Sequence, residues 1–255
     1  MSERPSLRRR AAVEAVGTAA LVAVVVGSGI QATRLTPDVG TQLLANSLAT
    51  VFGLAVLITW CGPLSGAHFN PAVSLADWIA GRRTGAGLSL PELGVYAVSQ
   101  TTGAVAGAVL ANAMFAEPLV AWSVHDRSAG HLWLSEGVAT AGLVAVVFGL
   151  VRTGRDRLAP VAVAAWIGAA YWSTASTSFA NPAVTVGRAF TDTFAGIAPA
   201  SVGPFVIAQL LGAVAGLGLA VVLTGRTLRA APATGPEAAD DAGATGGPVP
   251  AAFHH

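Results

Sequence analysis

Charge is what this sequence has least of. Only 11% of its 255 residues are charged, lysine is absent, and all fourteen basic side chains are arginine. A soluble domain averages about 25% charged residues, so this chain cannot cover a water-facing surface. Its apolar residues, 53% of the total with a mean hydropathy of +0.64, must largely face lipid. A net charge of +1 argues against nucleic acid as a partner. The lack of lysine reads as codon preference rather than site chemistry. The single cysteine, Cys61, excludes an intrachain disulfide and, lying in an apolar run, is expected as a small core residue. No nucleophile–base pair and no metal-ligand spacing is visible, since His125, His131, His254 and His255 fall in loops or tail. No catalytic residue, metal or cofactor is therefore expected, and an enzyme is not supported.

Long apolar runs are abundant. A spanning helix needs roughly 20 apolar residues, and six segments qualify: 11–31, 42–61, 91–115, 133–152, 160–178 and 203–225. The first is too long for a signal peptide and lacks its cleavage site, and the residues after Arg8-Arg9-Arg10 do not fit a twin-arginine signal. Two further stretches, near 70–80 and 181–191, are too short to cross. At 1.5 Å per residue, ten residues cover about 15 Å, half the hydrocarbon core. They must enter the membrane and stop.

Each short stretch opens on the same tripeptide, Asn70-Pro71-Ala72 and Asn181-Pro182-Ala183, followed by Val73-Ser74 and Val184-Thr185. Proline suits the first helical turn because its missing N–H has no partner there, and the asparagine before it can cap the helix. Two such starts aim two half-helix N-termini at one place near the bilayer midplane, a solute site. Each N-terminus carries about +0.5 of an elementary charge and opposes cations where bulk water is absent. Asn70 and Asn181 would also turn amide donors toward a passing solute, with capping alone as the rival role.

With six crossings, both termini and the loops near 82 and 155 share one side. That side holds Arg4, Arg8, Arg9, Arg10, Arg82, Arg83, Arg152, Arg155, Arg157, Arg226 and Arg229; the other holds Arg34, Arg127 and Arg188. Eleven against three places both termini in the cytoplasm. The expected organisation is a basic cytoplasmic N-terminus (1–10), a first repeat (11–115), an extracytoplasmic connecting loop (116–132), a second repeat (133–225) and a disordered cytoplasmic tail (226–255), rich in Ala, Gly, Pro and acid.

The two halves are copies. Glu14-Ala15-Val16-Gly17-Thr18 recurs loosely as Glu136-Gly137-Val138-Ala139-Thr140, and Gln100 with Gly103 to Gly107 recurs as Gln209 with Gly212 to Gly216. Each copy holds three crossings, so the second inserts inverted, giving a pseudo-two-fold axis in the membrane plane. The paired glycines are expected to pack one repeat against the other. Glu14 and Glu136 are acids inside spanning helices, tolerable only when satisfied.

The chain resembles the aquaporin, or major intrinsic protein, family over residues 11–225. The resemblance rests on Ser65-Gly66-Ala67-His68-Phe69-Asn70-Pro71-Ala72-Val73, both Asn-Pro-Ala boxes and the repeated glutamates. It implies an all-α membrane protein of six transmembrane helices and two re-entrant half-helices in an inverted three-helix repeat. It further implies a homotetramer in the lipid bilayer of the cell membrane, each subunit with its own pore, conducting passively. Glu14 and Glu136 resemble the family glutamates that hold the re-entrant loops; a proton relay is the rival role.

Family members selective for water usually carry Arg three residues after the second Asn, where this chain has Val184. The other family filter positions fall on Thr50, Ala169 and Ser178, with Tyr171 and Trp172 close enough to take the place of Ala169. A ring of Thr, Ala, Ser and Val is wider and less polar than the usual one. Arg188, one turn beyond Val184, and Asp77, its counterpart in the first repeat, place opposite charges at the two vestibules, unless each snorkels or pairs with a loop. By resemblance His68 lines the inner pore.

Thr36–Asn46, Pro63–Phe69 and Thr191–Ile197 resemble a bacterial aquaglyceroporin-like subgroup associated with arsenic detoxification, which also carries Val at this place. The resemblance implies passage of neutral arsenite or methylated arsenicals. Three readings stand: a channel for small neutral solutes (water, glycerol-like polyols, arsenic acids), a water-selective channel, and an ion-coupled secondary transporter with inverted repeats.

Overall fold

The computed structural model describes residues 5–82 and 84–225; the expected disordered tail, with Arg4, Arg83, Arg226 and Arg229, lies outside the described residues. Every regular element described is helical. In chain order they are α1 (Leu7–Leu35), α2 (Val39–Ser65), α3 (Pro71–Gly81), α4 (Leu90–Met114), α5 (Gly130–Arg152), α6 (Ala159–Ser173), α7 (Pro182–Arg188) and α8 (Pro199–Thr224). Local chemistry sets the starts: Asp38 accepts from the Thr41 N–H at the head of α2, and Ser89 and Glu92 form a capping box at the head of α4.

Five helices, α1, α2, α4, α5 and α8, are long and apolar enough to cross a membrane. Phe52, Trp60, Val98, Leu211 and Val222 stand exposed on their outer faces, an apolar girdle suited to lipid. Inside, polar groups find partners across helices: Asn46 on α2 donates to the Val25 carbonyl (2.8 Å) and to Ser28 Oγ (2.9 Å) on α1.

The sixth expected span has a shorter helix than its apolar run: within 160–178 the helix ends at Ser173, so α6 has 15 residues, about 22 Å at 1.5 Å per residue. A 3₁₀ turn at Asp156–Leu158 precedes it. After Ser173 the chain descends as irregular backbone, with Thr177, Ser178 and Ala180 at φ of 61°, 52° and 48°. Left-handed backbone is unfavourable for these residues, most of all for β-branched Thr177, so the segment must be held by its surroundings. Other boundaries also move. The second half-helix stops at Arg188 rather than 191, the connecting loop gives way to α5 at Gly130, and α1 begins at Leu7, inside the expected basic N-terminus.

The paired glycines close each repeat on itself instead of joining the two. Gly103 and Gly107 of α4 lie so close to α1 that a Cβ would strike the carbonyl oxygens of Ala15 and Ala19. Gly212 and Gly216 of α8 stand in the same relation to Gly137 and Ala141 of α5. The repeats meet where α2 packs on α6, and through the half-helices: α3 reaches α8 and α5, and α7 reaches α4 and α1. Each half-helix is thus held by both repeats, which fixes its N-terminus in the middle of the bundle.

Candidate functional site

Two buried carboxylates organise the loops that enter the membrane. Glu14 accepts four hydrogen bonds, from Ser65 Oγ (2.6 Å), the His68 N–H (3.0 Å), the Phe69 N–H (2.7 Å) and Gln100 Nε2 (2.8 Å). Glu136 accepts four from the symmetry-related set: Ser176 Oγ (2.6 Å), the Phe179 N–H (2.9 Å), the Ala180 N–H (2.8 Å) and Gln209 Nε2 (2.6 Å). Four donors fill the acceptor positions of a carboxylate. They pin the very backbone that adopts positive φ, at Phe69 in one repeat and Ala180 in the other. Gln100 and Gln209 are markers of the repeat in the sequence; in space they are the carboxylates' fourth partners, a role their spacing alone does not reveal.

The loops carry the half-helices to a common centre. Asn70 Oδ1 accepts from the Ala72 N–H (2.9 Å), and Asn181 Oδ1 accepts from the N–H groups of Ala183 (3.0 Å) and Val184 (3.2 Å), so each asparagine caps its own helix. Each also crosses to the other loop. Asn70 Nδ2 donates to the Ala180 carbonyl (2.8 Å) and Asn181 Nδ2 to the Phe69 carbonyl (2.7 Å). Each amide has two donor hydrogens, so one per asparagine is left. Pro71, Ala72, Pro182 and Ala183 form the first turns behind these caps. Both asparagines line a cavity of about 700 Å³ that runs between the repeats.

Thr50, Ser178 and Val184 line the same cavity, and all three are buried. Ala169 does not. It is exposed on the outer face of α6, and Tyr171 takes the inward place. The physical reason is that α6 ends at Ser173, so a count of twelve back from Asn181 passes through irregular chain and lands two residues off the inner face. Trp172 is likewise turned outward, 53% exposed. The Tyr171 hydroxyl lies 3.2 Å from Thr50 Oγ1. Thr50 already donates its one hydrogen to the Asn46 carbonyl (2.8 Å), so Tyr171 is the donor in this pair.

The two ends of the cavity differ in charge. At one end stand His68 and Asp77, and Asp156 and Arg157 also line the cavity. His68 Nδ1 lies 3.0 Å from Ser74 Oγ, and Asp77 accepts from the Leu88 N–H (2.8 Å) while still lining the cavity. At the other end stands Arg188, 3% exposed, with its guanidinium carbon 3.4 Å from the centre of the Phe179 ring and its Nε donating to the Ala195 carbonyl. Asp77 and Arg188 are thus tied to loop backbone and still face the cavity. A second guanidinium sits 5.0 Å from the same ring: Arg127, whose Nε donates to the Gly196 carbonyl (3.2 Å) and whose Nη1 lies 3.5 Å from that of Ser176. Nothing in the spacing of the sequence marks Arg127, because it arrives from the connecting loop. Beside it, hydrogen bonds from Ser128 and Ser201 hold the Asp126 carboxyl below the usual carboxylate range.

A model of the major intrinsic protein family matches residues 1–178. The aquaglyceroporin AqpS of Rhizobium meliloti is 51% identical over 213 residues, covering 84% of this chain and 89% of that protein. The chain belongs to the major intrinsic protein family. It is accordingly a membrane channel and not an enzyme. Another similar member, the glycerol uptake facilitator protein of Pseudomonas aeruginosa, is 31% identical over 269 residues, covering 90% and 93% of the two chains. The fold matches that of the aquaglyceroporin from Plasmodium falciparum with a TM-score of 0.60, at 22% identity over 84% of this channel and 95% of that one.

Proposed function

We propose that this channel passes small uncharged solutes, namely water, glycerol-like polyols and trivalent or methylated arsenic acids, through the cavity between its repeats. The observation that carries the reading is the ring of Thr50, Tyr171, Ser178 and Val184: it lines the cavity beside the asparagine caps and contains no charge. A filter with Val184 in place of Arg leaves room for a three-carbon polyol or a trihydroxy acid. Its hydroxyls can exchange hydrogen bonds with Ser178, Tyr171 and the free amide hydrogens of Asn70 and Asn181. The similar proteins described as aquaglyceroporins and as a glycerol uptake facilitator point the same way. Strict water selectivity is the second reading, favoured by one contact: the bond from Tyr171 to Thr50 links α6 to α2 within the ring. The transporter reading loses its coupling acids, since Glu14 and Glu136 are each fully engaged by four donors.

The channel sits in the cell membrane as a homotetramer with both termini cytoplasmic. The arginine asymmetry supports the orientation, and the family resemblance supports the tetramer. Asp77 and His68 then face the cytoplasm, and Arg188 faces outward.

Stopped-flow light scattering on proteoliposomes tests the solute range. Water, glycerol and arsenite should all enter faster than through empty vesicles; entry of water alone selects the second reading.

Arg188 adds a charge to the cation barrier set by the half-helix dipoles. A permanent positive charge in a poorly hydrated mouth repels cations. Arg188→Ala should raise proton or monovalent-cation leak by roughly tenfold, short of a fully open cation pore because the dipoles remain. A pH-dye or voltage-clamp assay reads the leak, with neutral-solute flux recorded as a measure of channel content. Identical leak in both proteins would reduce Arg188 to an anchor.

A further inference from the structure

Arg188 is a buried guanidinium whose donors are not used up. Its Nε is bonded to the Ala195 carbonyl, but Nη1 and Nη2 make no hydrogen bond to any described residue, and no carboxylate of the described residues lies within ion-pair distance. One face is covered by Phe179 at 3.4 Å, and the residue lines the cavity. Next to Phe179 in the chain, Ser178 is 3% exposed, lines the same cavity, and its Oγ has no hydrogen-bond partner. A charged fork and an unpartnered, covered hydroxyl therefore belong to residues that line one cavity.

The acids of the outer half are already committed. Glu136 is filled by Ser176, Phe179, Ala180 and Gln209. Asp192 accepts from the Val124 N–H and lies 3.8 Å from His125, both at the surface, and Asp126 is bonded to Ser128 and Ser201. Arg127, on the same ring, adds a second positive charge, its donors turned to the Ser176 and Gly196 carbonyls. Of the charged groups that line the cavity itself, Arg188 stands alone at the outer end, with Asp126 and Asp192 exposed outside it, whereas the inner end carries Asp77, at the position related to Arg188, together with Asp156 and Arg157.

We propose that the outer end of the cavity is a binding site for a small monovalent oxyanion, held by the Nη edge of Arg188 and the Ser178 hydroxyl, and that such an anion occludes the channel. A planar guanidinium matches the geometry of oxyanions, and a charge-assisted bond is stronger than the neutral bonds a polyol can make there. Asp77 disfavours onward passage, so the anion blocks and does not permeate. The site does not depend on which neutral solutes the channel passes.

Nitrate is the probe. Full-length protein is reconstituted, nitrate is placed on both sides at constant ionic strength, and a bulky sulfonate that cannot enter the cavity serves as the control anion. Saturating nitrate should lower water and glycerol flux at least about fivefold in the wild type, and Arg188→Gln should raise the inhibitory concentration by roughly tenfold or more. Calorimetry on the purified protein should find one nitrate per chain, weakened roughly fivefold by Ser178→Ala. Should Arg188→Gln fail to insert, the wild type and Ser178→Ala carry the test by both readouts. Nitrate that neither binds nor slows flux, or that acts equally on wild type and Arg188→Gln, overturns the proposal. Nitrate binding by a protein that passes no glycerol would contradict the solute range and leave this site standing.

Discussion

Replacing Val184 by arginine should cut glycerol permeation at least about tenfold while water permeation falls far less. Val184 is buried, faces the cavity, and lies on the first turn of the half-helix capped by Asn181. An arginine there must send a long charged side chain into the ring made with Thr50, Tyr171 and Ser178, and the space it removes is the space a polyol needs. Arg188 lies one turn further on the same helix, so the two guanidiniums repel and neither can fold back over the other. Water, needing less width and finding added donors, continues to pass. The comparison is of initial rates for water, glycerol and arsenite in the same vesicles, normalised to the amount of inserted protein. Equal loss for all three solutes would remove Val184 from the filter.

The second large effect is expected at Asn181→Leu. The substitution removes the cap on the Ala183 and Val184 N–H groups and the strap from Nδ2 to the Phe69 carbonyl, which is then buried without a partner. Loss of the cap costs about 1 kcal/mol, and an unsatisfied buried group about 1–3 kcal/mol more. The apolar side chain also takes the place of a donor in the cavity wall. Conductance for every solute should fall by at least roughly tenfold, although the protein still inserts, because no spanning helix is altered. Asn70→Leu should match it, since the Asn70 strap to Ala180 is the same bond in the inverted repeat. Solute flux unchanged in both variants would place the two asparagines outside the conduction path.

Much of this arrangement is legible in the sequence because each part follows from a local rule. Proline after an asparagine starts a capped helix; ten apolar residues cannot cross a bilayer; an odd number of crossings inverts a repeat. What is not legible depends on chain that has no period. Counting residues places Ala169 in the filter, but α6 stops at Ser173 and positive-φ backbone follows, so the inward position passes to Tyr171. The straps between the loops join groups 110 and 112 residues apart and have no sequence signal. Arg127 comes from a loop whose course is set by its bonds to Ser176, Gly196 and Ser201. The glycine pairs are visible as a pattern, but a pattern of small residues does not say which helix approaches. Here the partner is the first helix of the same repeat. For Arg188 the sequence leaves two places open, a vestibule charge or a partner of a loop group, and its Nε does donate to the Ala195 carbonyl of a loop.

Passive diffusion of neutral solutes through the cavity between the two asparagine caps has a kinetic signature of its own. The most direct measurement is the initial rate of glycerol entry into proteoliposomes across a range of glycerol gradients, with and without imposed proton and sodium gradients. The rate should be linear in the glycerol gradient and unchanged when ionophores collapse the ion gradients. A rate that saturates and vanishes with the ion gradient would contradict passive diffusion.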